Sequence, residues 1–462
     1  MLGGGDVNLY SLFVERAQAL VDPNGLVALL TPSGIAADKG AARFFRSIST
    51  TGRLGALLDF ENRDNSGGSF FADVDSRFKF CVILFCGAHR SFAQTRCAFY
   101  LHQLEELDAP ERTLLLTAED FALVNPNTGA APIFRTRRDA DITTGIYRAN
   151  PVLVKRNELN KATNQRSERK AWPVKYVRMF DMTNDSKLFL TAAELTQLGF
   201  ARAPLNRWRK GDDEALPLYE GKMVQMFDHR AADVVMNNAN LKRPAQQQAI
   251  EPVLKERADR FPTPQFFVAE AEVVKTWGGD WALAYKSITS PTNMRTMIAA
   301  IVPKCGLGNS MAALLPNGSS PDSGARASAI LLANLNALSF DFALRQKVQG
   351  QNLNWFVVEQ AAVITAERFD QALPARFAAH QRAAGLMNGY HPQPTVADFI
   401  RPAARWRAAK RAGSGWSKRS RAMNGSCSRM NQFRLVLCTF CRATKSNTIE
   451  QRFARSSGVA RA

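Results

Sequence analysis

Five ionisable side chains crowd into one short stretch of this chain, LPLYEGKMVQMFDHR at residues 216–230: Glu220, Lys222, Asp228, His229 and Arg230, set among aliphatic and aromatic neighbours. Lys222, His229 and Arg230 are donors suited to phosphate oxygens or base edges, and an arginine fork can pair bidentately with guanine. The alternative is internal: Lys222 and Arg230 pair with Glu220 and Asp228 at a seam between domains. Arg295, Arg345 and Lys347, in TNMRT (292–296) and RQKVQG (345–350), offer the same donors further on, against the alternative of solvated or structural roles. Five histidines in the whole chain are too few for a multi-histidine metal centre. Cys438 and Cys441 have the CxxC form, but no second pair or nearby histidine completes a four-ligand zinc site, so no metal residue is expected.

The elements that must position these groups follow from patterning. Residues 9–20 repeat apolar positions at helical spacing and stop at the turn residues Asp22-Pro-Asn-Gly25. Residues 26–31 (LVALLT) form a short continuous apolar run, the pattern of a strand buried on both faces, and Pro32-Ser-Gly34 leads to a helix around residues 38–50. Two more strand-like runs, 54–60 and 78–85, flank a Gly- and Asp-rich loop containing Phe70 and Phe71, and both are expected in one sheet. Alternation of this kind predicts an α/β architecture. Pro, Asn and Gly mark turns at NPNT (125–128) and PIFR (132–135), residues 156–171 read as an exposed polar loop, and residues 331–341 as an apolar helix.

With 462 residues, 46% hydrophobic and 22% charged, the chain has room for two or three globular domains. It contains no apolar run of membrane-spanning length and no charged-then-apolar leader, so a cytoplasmic location without membrane contact is expected. Its seven cysteines are accordingly expected as reduced thiols. The net charge of +19 is unevenly spread: residues 401–462 hold 15 Lys and Arg against the single acid Glu450, leaving 45 basic and 40 acidic groups in the first 400 residues. Bulk charge is therefore weak support for nucleic-acid binding in the body of the protein, where a local cluster has to do the work. In the tail, acids all but vanish and periodicity weakens. A frameshifted or disordered segment, or a basic DNA-binding arm, would each read this way.

The PLYEGK and FDHR segments, with NPNT, PIFR, TNMRT, RQKVQG and LNWF (353–356), resemble the large adenine-specific DNA methyltransferases of type II (IIG-like) restriction-modification and phage-defence systems. The resemblance runs from residue 5 to about residue 360, and Met294 stands where that family usually has an acid. It implies the C-terminal portion of a Rossmann-like class I methyltransferase sheet at 1–155, then a linker and a mixed α+β target-recognition domain at 156–400, then the basic tail at 401–462. On that view 26–31 is the fifth strand with its Pro-Ser turn, and 54–60 and 78–85 are the terminal pair.

Methyl transfer to adenine N6 needs a glycine-rich turn for S-adenosyl-L-methionine and an Asn/Asp-Pro-Pro-aromatic tetrapeptide to orient a flipped base. The family places both ahead of the segment at which this sequence begins. Asn125-Pro-Asn-Thr128 lacks the second proline and the aromatic ring, and Gly306-Leu-Gly308 follows a strand-like run broken by Pro303 and Lys304, with no acid to hold a ribose. No catalytic and no cofactor-binding residue is therefore expected. The resemblance implies a DNA methyltransferase part that is inactive alone, with double-stranded DNA as partner and a separate chain as a candidate source of the missing half. The alternative is a non-enzymatic DNA-binding specificity subunit serving a separate catalytic chain.

Overall fold

The computed structural model describes residues 8–370, apart from 64–66, 77, 157–166, 237–244, 256, 258, 317–320 and 349. The basic tail at 401–462, with Cys438 and Cys441, lies outside the described residues.

The first third builds one layered unit. Helix α1 (Leu9–Leu20) ends at Val21, and the Asp22 carboxylate and carbonyl close the turn by accepting from the Asn24 and Gly25 amides at 2.8 Å each. Strand β1 (Leu26–Pro32) follows, then α2 (Ala42–Ser49), β2 (Leu54–Glu61), β3 (Lys79–Cys86), β4 (Thr95–Leu101) and β5 (Leu114–Leu116). Helices α3 (Ala118–Val124) and α4 (Arg137–Ala149) complete the unit. Each of these two helices starts with a reciprocal capping box, Thr117 with Asp120 and Thr136 with Asp139, which satisfies amides a helix start leaves open.

The strands lie in the spatial order β1-β3-β2-β4-β5. Strand β3 is antiparallel to both β1 and β2, so β1 and β2 point the same way with a reversed strand between them, and β4 runs parallel to β2. The two strand-like runs at 54–60 and 78–85 thus share one sheet, as their patterning predicts. One face packs on Val14, Ile35, Phe44, Phe45, Ile48 and Phe121. Fully burying side chains of this size contributes roughly 1.5–3 kcal/mol each.

Strand β1 departs from its sequence reading. The apolar run predicts burial on both faces, yet β1 is the edge of the sheet, and Leu26 and Leu30 are 49% and 56% exposed while Val27 and Leu29 lean on the core. An apolar run records what a strand needs covered, and among the described residues nothing pairs with its outer edge. Helix α1 adds to this surface, for Leu9, Leu12, Phe13 and Leu20 are all exposed at helical spacing.

Beyond Ala149 the chain forms a hairpin of β6 (Val154–Arg156) and β7 (Glu168–Lys170), so both described ends of the expected polar loop are strand. Strand β8 (Val174–Val177) then enters a second layer. A largely antiparallel sheet centres on β9 (Asp213–Tyr219), and a four-stranded one has the order β11 (Ala299–Pro303), β10 (Trp281–Lys286), β12 (Met311–Pro316), β8. Gly306 and Leu307 pair with Leu218 and Tyr219. A Cβ on Gly306 would lie 2.7 Å from a Val268 methyl carbon, so this glycine serves close packing rather than a cofactor turn.

The apolar stretch at 331–341 is split between α5 (Pro321–Leu335) and α6 (Leu338–Arg345), and α7 (Trp355–Val358) follows. Asn336 at the break acts as a piece of strand: its side-chain amide donates to the Ala299 carbonyl at 2.9 Å and accepts from the Ala299 amide at 3.0 Å. No single described helix is long and apolar enough to cross a membrane.

The two layers are not independent. Val152 bridges Ala362, the Val363 amide donates to Pro151 at 2.9 Å, and Ala343, Ala362 and Ile364 belong to the core of the first sheet. The NPNT loop is fixed at this seam. Asn127 and Thr128 donate backbone amides to the Gln360 side chain at 2.8 and 3.2 Å, and the Asn127 amide group donates to Glu359, which also holds Arg156 at 2.6 Å. Residues 155 and 156, where a domain boundary is expected, sit inside hairpin β6–β7.

Candidate functional site

The segment singled out by its charges is a turn packed between strands. Strand β9 delivers Tyr219 and Glu220, a 3-10 turn spans Gly221–Met223, and the chain doubles back at Gln225 and Asp228, which exchange backbone hydrogen bonds at 2.8 and 2.9 Å. Phe227 takes φ +61° at this reversal, a left-handed conformation costing a bulky residue about 1 kcal/mol. Its amide is anchored to the Ala299 carbonyl at 3.0 Å.

Four of the six candidate donors lie in the interior. His229 is buried, with Nδ1 3.1 Å from the Tyr219 hydroxyl, and burial followed by the neighbouring Arg230 charge holds its pKa down to about 3. Arg230 donates to the carbonyls of Lys255, Arg257 and Arg260 at 2.8–3.1 Å, stapling that loop. Asp228 pairs instead with Lys255 at 2.7 Å. Arg295 donates to the Asn336 carbonyl. Lys347, fully enclosed, donates to the Val124 and Gln360 carbonyls and lies 4.5 Å from the centre of the Tyr147 ring. Burial pushes its ammonium pKa well below the usual lysine range. Arg230, Arg295 and Lys347 are inside for a common physical reason: segments from elsewhere in the chain present carbonyl oxygens, which the local sequence does not reveal.

Lys222 and Arg345 are the two that reach solvent. Lys222 pairs with Glu220 at 3.0 Å and donates to the Ala245 carbonyl at 3.2 Å, an internal pairing of one of the two cations. Arg345 joins Asp341 at 3.0 Å and donates to the Pro291 and Met294 carbonyls at 2.9 and 3.1 Å. Asp341 in turn accepts from the Thr296 and Met297 amides at 2.8 and 2.7 Å. Arg295, Asp341 and Arg345 thereby fix the TNMRT loop with Met294 at its tip, 94% exposed.

A second constellation, absent from the sequence reading, collects at the carboxyl ends of β1, β2 and β4, the edge where open α/β sheets bind ligands. Ser33 donates its hydroxyl to Asp59, whose carboxyl is raised by burial against the opposing pull of Lys79. The Lys79 ammonium stands 3.3 Å from the centre of the Tyr100 ring, with Arg135 at 4.7 Å from the same ring. Burial would raise Glu61, but hydrogen bonds from His102 and Arg63 at 2.8 and 2.7 Å outweigh it and lower its pKa.

Next to this cluster, Phe60 and Phe80 stack at 5.2 Å, and Phe70 and Phe71 meet Phe80 edge-on. Asn62 holds the loop by accepting from the Phe71 amide and donating to the Phe71 and Val74 carbonyls, leaving Phe70 and Phe71 partly exposed. The available signal was position: Asp59 and Glu61 close an apolar strand run, and Lys79 opens the next. Among the described residues no group of histidine, cysteine and acidic side chains could hold a metal ion, and the four described cysteines are buried and unpaired.

No family model matches this chain, and no curated protein was found to match it. Solved structures with some likeness include the type IIL restriction-modification enzyme MmeI in complex with DNA, at 10% identity and a TM-score of 0.36, covering 94% of this chain and 52% of that one. The type IIG restriction endonuclease BpuSI also has 10% identity, with a TM-score of 0.28 over 96% and 50% of the two chains. A DrdV–DNA complex has 10% identity and a TM-score of 0.28 over 66% and 31%. This chain spans about half the length of the first two.

Proposed function

We propose that this chain is part of a site-specific DNA methyltransferase, adenine-specific and dependent on S-adenosylmethionine, acting in restriction-modification or defence. The observation carrying the reading is the first sheet: a reversed strand set between two parallel ones, with an aromatic and charged cluster at their carboxyl edge, in the region whose motifs resemble the end of a methyltransferase domain. Phe70 and Phe71 supply faces on which an extruded base stacks, a contact in the range of about 1–3 kcal/mol per base. The rigid TNMRT loop, Lys222 and Arg345 contribute the DNA-facing side of the second layer, while His229, Arg230, Arg295 and Lys347 act by holding its loops in place.

The uncovered edge of β1 and the apolar stripe of α1 favour a chain that works against further methyltransferase structure, whether from the same gene product or a separate catalytic chain. Cofactor and catalytic tetrapeptide belong to that remainder, so the chain alone neither binds the cofactor nor methylates.

The test combines calorimetric titration with S-adenosylmethionine, duplex DNA binding at two salt concentrations, and single-molecule sequencing of plasmid from cells expressing the chain. Salt-sensitive duplex binding without cofactor binding or N6-methyladenine is the expected result. N6-methyladenine at a fixed motif would overturn the inactivity of the chain alone, and no duplex binding at low salt would overturn both the methyltransferase and the specificity-subunit readings.

A further inference from the structure

A cleft of about 540 Å³ opens where α3 and α4 meet hairpin β6–β7, away from both sites described above. Its volume lies within the range of small-molecule sites. Leu123, Pro126, Val152 and Ala171 give it an apolar floor, and Tyr147, whose hydroxyl is occupied by the Gln360 carbonyl at 3.0 Å, closes its depth.

The rim is unusual in its charge. Lys155 on β6 and Arg169 on β7 are directly opposite in the antiparallel register, so their side chains share one face of the hairpin. Both are exposed, and neither makes an ion pair or hydrogen bond with any described residue. Like charges in that register repel, and the neighbouring acids do not relieve them. Glu168 is engaged by Arg156 at 3.2 Å and lies 3.8 Å from Lys170, and the Lys170 ammonium turns away to the Val174 carbonyl. Glu367 is the only acid among the lining residues; hydrogen bonds from its own backbone amide and the Thr365 hydroxyl hold its carboxylate ionised, and it forms no ion pair with Lys155 or Arg169.

An apolar floor beneath two cations that no described residue pairs suits a ligand with a flat, weakly polar body and an anionic end. We propose that this cleft binds a nucleoside phosphate, with the base against Leu123, Val152 and Tyr147 and the phosphate between Lys155 and Arg169. A long phosphodiester track would need an open basic groove instead of a floor. Two sources present this chemistry, a free mononucleotide and the phosphorylated end of a nucleic-acid strand. The proposal does not depend on the methyltransferase reading.

The full chain is titrated at low salt with fluorescently labelled adenosine monophosphate and, separately, with a labelled single strand bearing a 5′-phosphate. The comparison is with the double variant Lys155→Ser, Arg169→Ser and with Lys175→Ser, an exposed lysine on β8 away from the cleft. Circular dichroism confirms folding, and the single variant Arg169→Gln serves if the double variant does not fold. Loss of affinity of tenfold or more in the double variant, none in the control, and a ligand-induced rise in melting temperature seen in the wild type and the control but not in the double variant are expected. The mononucleotide alone responding identifies a free nucleotide, and the strand alone responding identifies a strand end. Binding of neither probe, or equal binding by the double variant and the control, would overturn the proposal.

Discussion

Replacing His229 with glutamine should make the protein less sensitive to acid, and the size of the effect follows from the site. The imidazole is fully buried with its pKa at about 3 in the fold, against 6.5 for an exposed histidine. The folded state keeps it neutral while the unfolded chain takes up a proton below pH 6.5, so stability rises with pH between about 3 and 6.5 and is level above. At pH 5 the gap between the two pKa values corresponds to roughly 2 kcal/mol of stability lost, against about 0.2 kcal/mol at pH 7. Glutamine keeps an acceptor for the Tyr219 hydroxyl and does not titrate. At pH 7 the His229→Gln variant should melt at or slightly below the wild type, and on moving to pH 5 its melting temperature should fall by about 4–8 °C less, for a cooperative unit of typical domain size. Hydrogen exchange of the amides in 223–231, read by mass spectrometry at both pH values, localises the effect. Equal acid shifts in wild type and variant would refute the argument that this buried imidazole must stay neutral.

Other perturbations test other parts of the fold. Glu359→Gln removes the charge of a carboxylate that is almost fully buried and shared by Arg156 and the Asn127 side chain; because Arg156 is partly solvated and keeps Glu168, a loss of about 1.5 kcal/mol in urea unfolding is expected, and a change under about 0.5 kcal/mol would show that the seam is not held there. The pair Leu12→Lys, Phe13→Lys lies on the exposed stripe of α1, so it should lower binding of an apolar dye and raise the soluble fraction with stability changed by less than about 0.5 kcal/mol. A large drop in melting temperature would mean that this stripe is covered in solution. Met294→Ser should leave stability unchanged within the same limit while weakening duplex binding, and unaltered binding would remove the TNMRT tip from the DNA-facing surface.

Much of the first unit was legible from residues alone. The spacing at 9–20, the apolar runs at 26–31, 54–60 and 78–85, and their turn residues locate helix and strands to within a few positions, because period and turn chemistry are local properties. What stayed hidden is relational. The run at 26–31 cannot say whether a strand lies on each side of it, and it proves to be an edge. Lys347 and Arg230 look like surface donors until carbonyls from 124, 255, 257, 260 and 360 arrive from loops remote in sequence. The carboxyl-edge cluster was missed for the same reason, since Ser33, Asp59, Lys79 and Tyr100 meet only once the strand order is known.

The late return of the chain to the first sheet, through Ala343, Ala362 and Ile364, bears on synthesis at the ribosome. At roughly 5–20 residues per second, about 10–40 s separate the emergence of α4 from that of the segment that completes its core. For that interval the apolar surfaces of β1, β3 and α4 have only incomplete cover, which is when chaperone capture or misassociation competes with folding. A nascent chain stalled short of residue 364 should therefore remain protease-sensitive throughout its first 150 residues, and a gene split near residue 155 would leave both products without a finished interior.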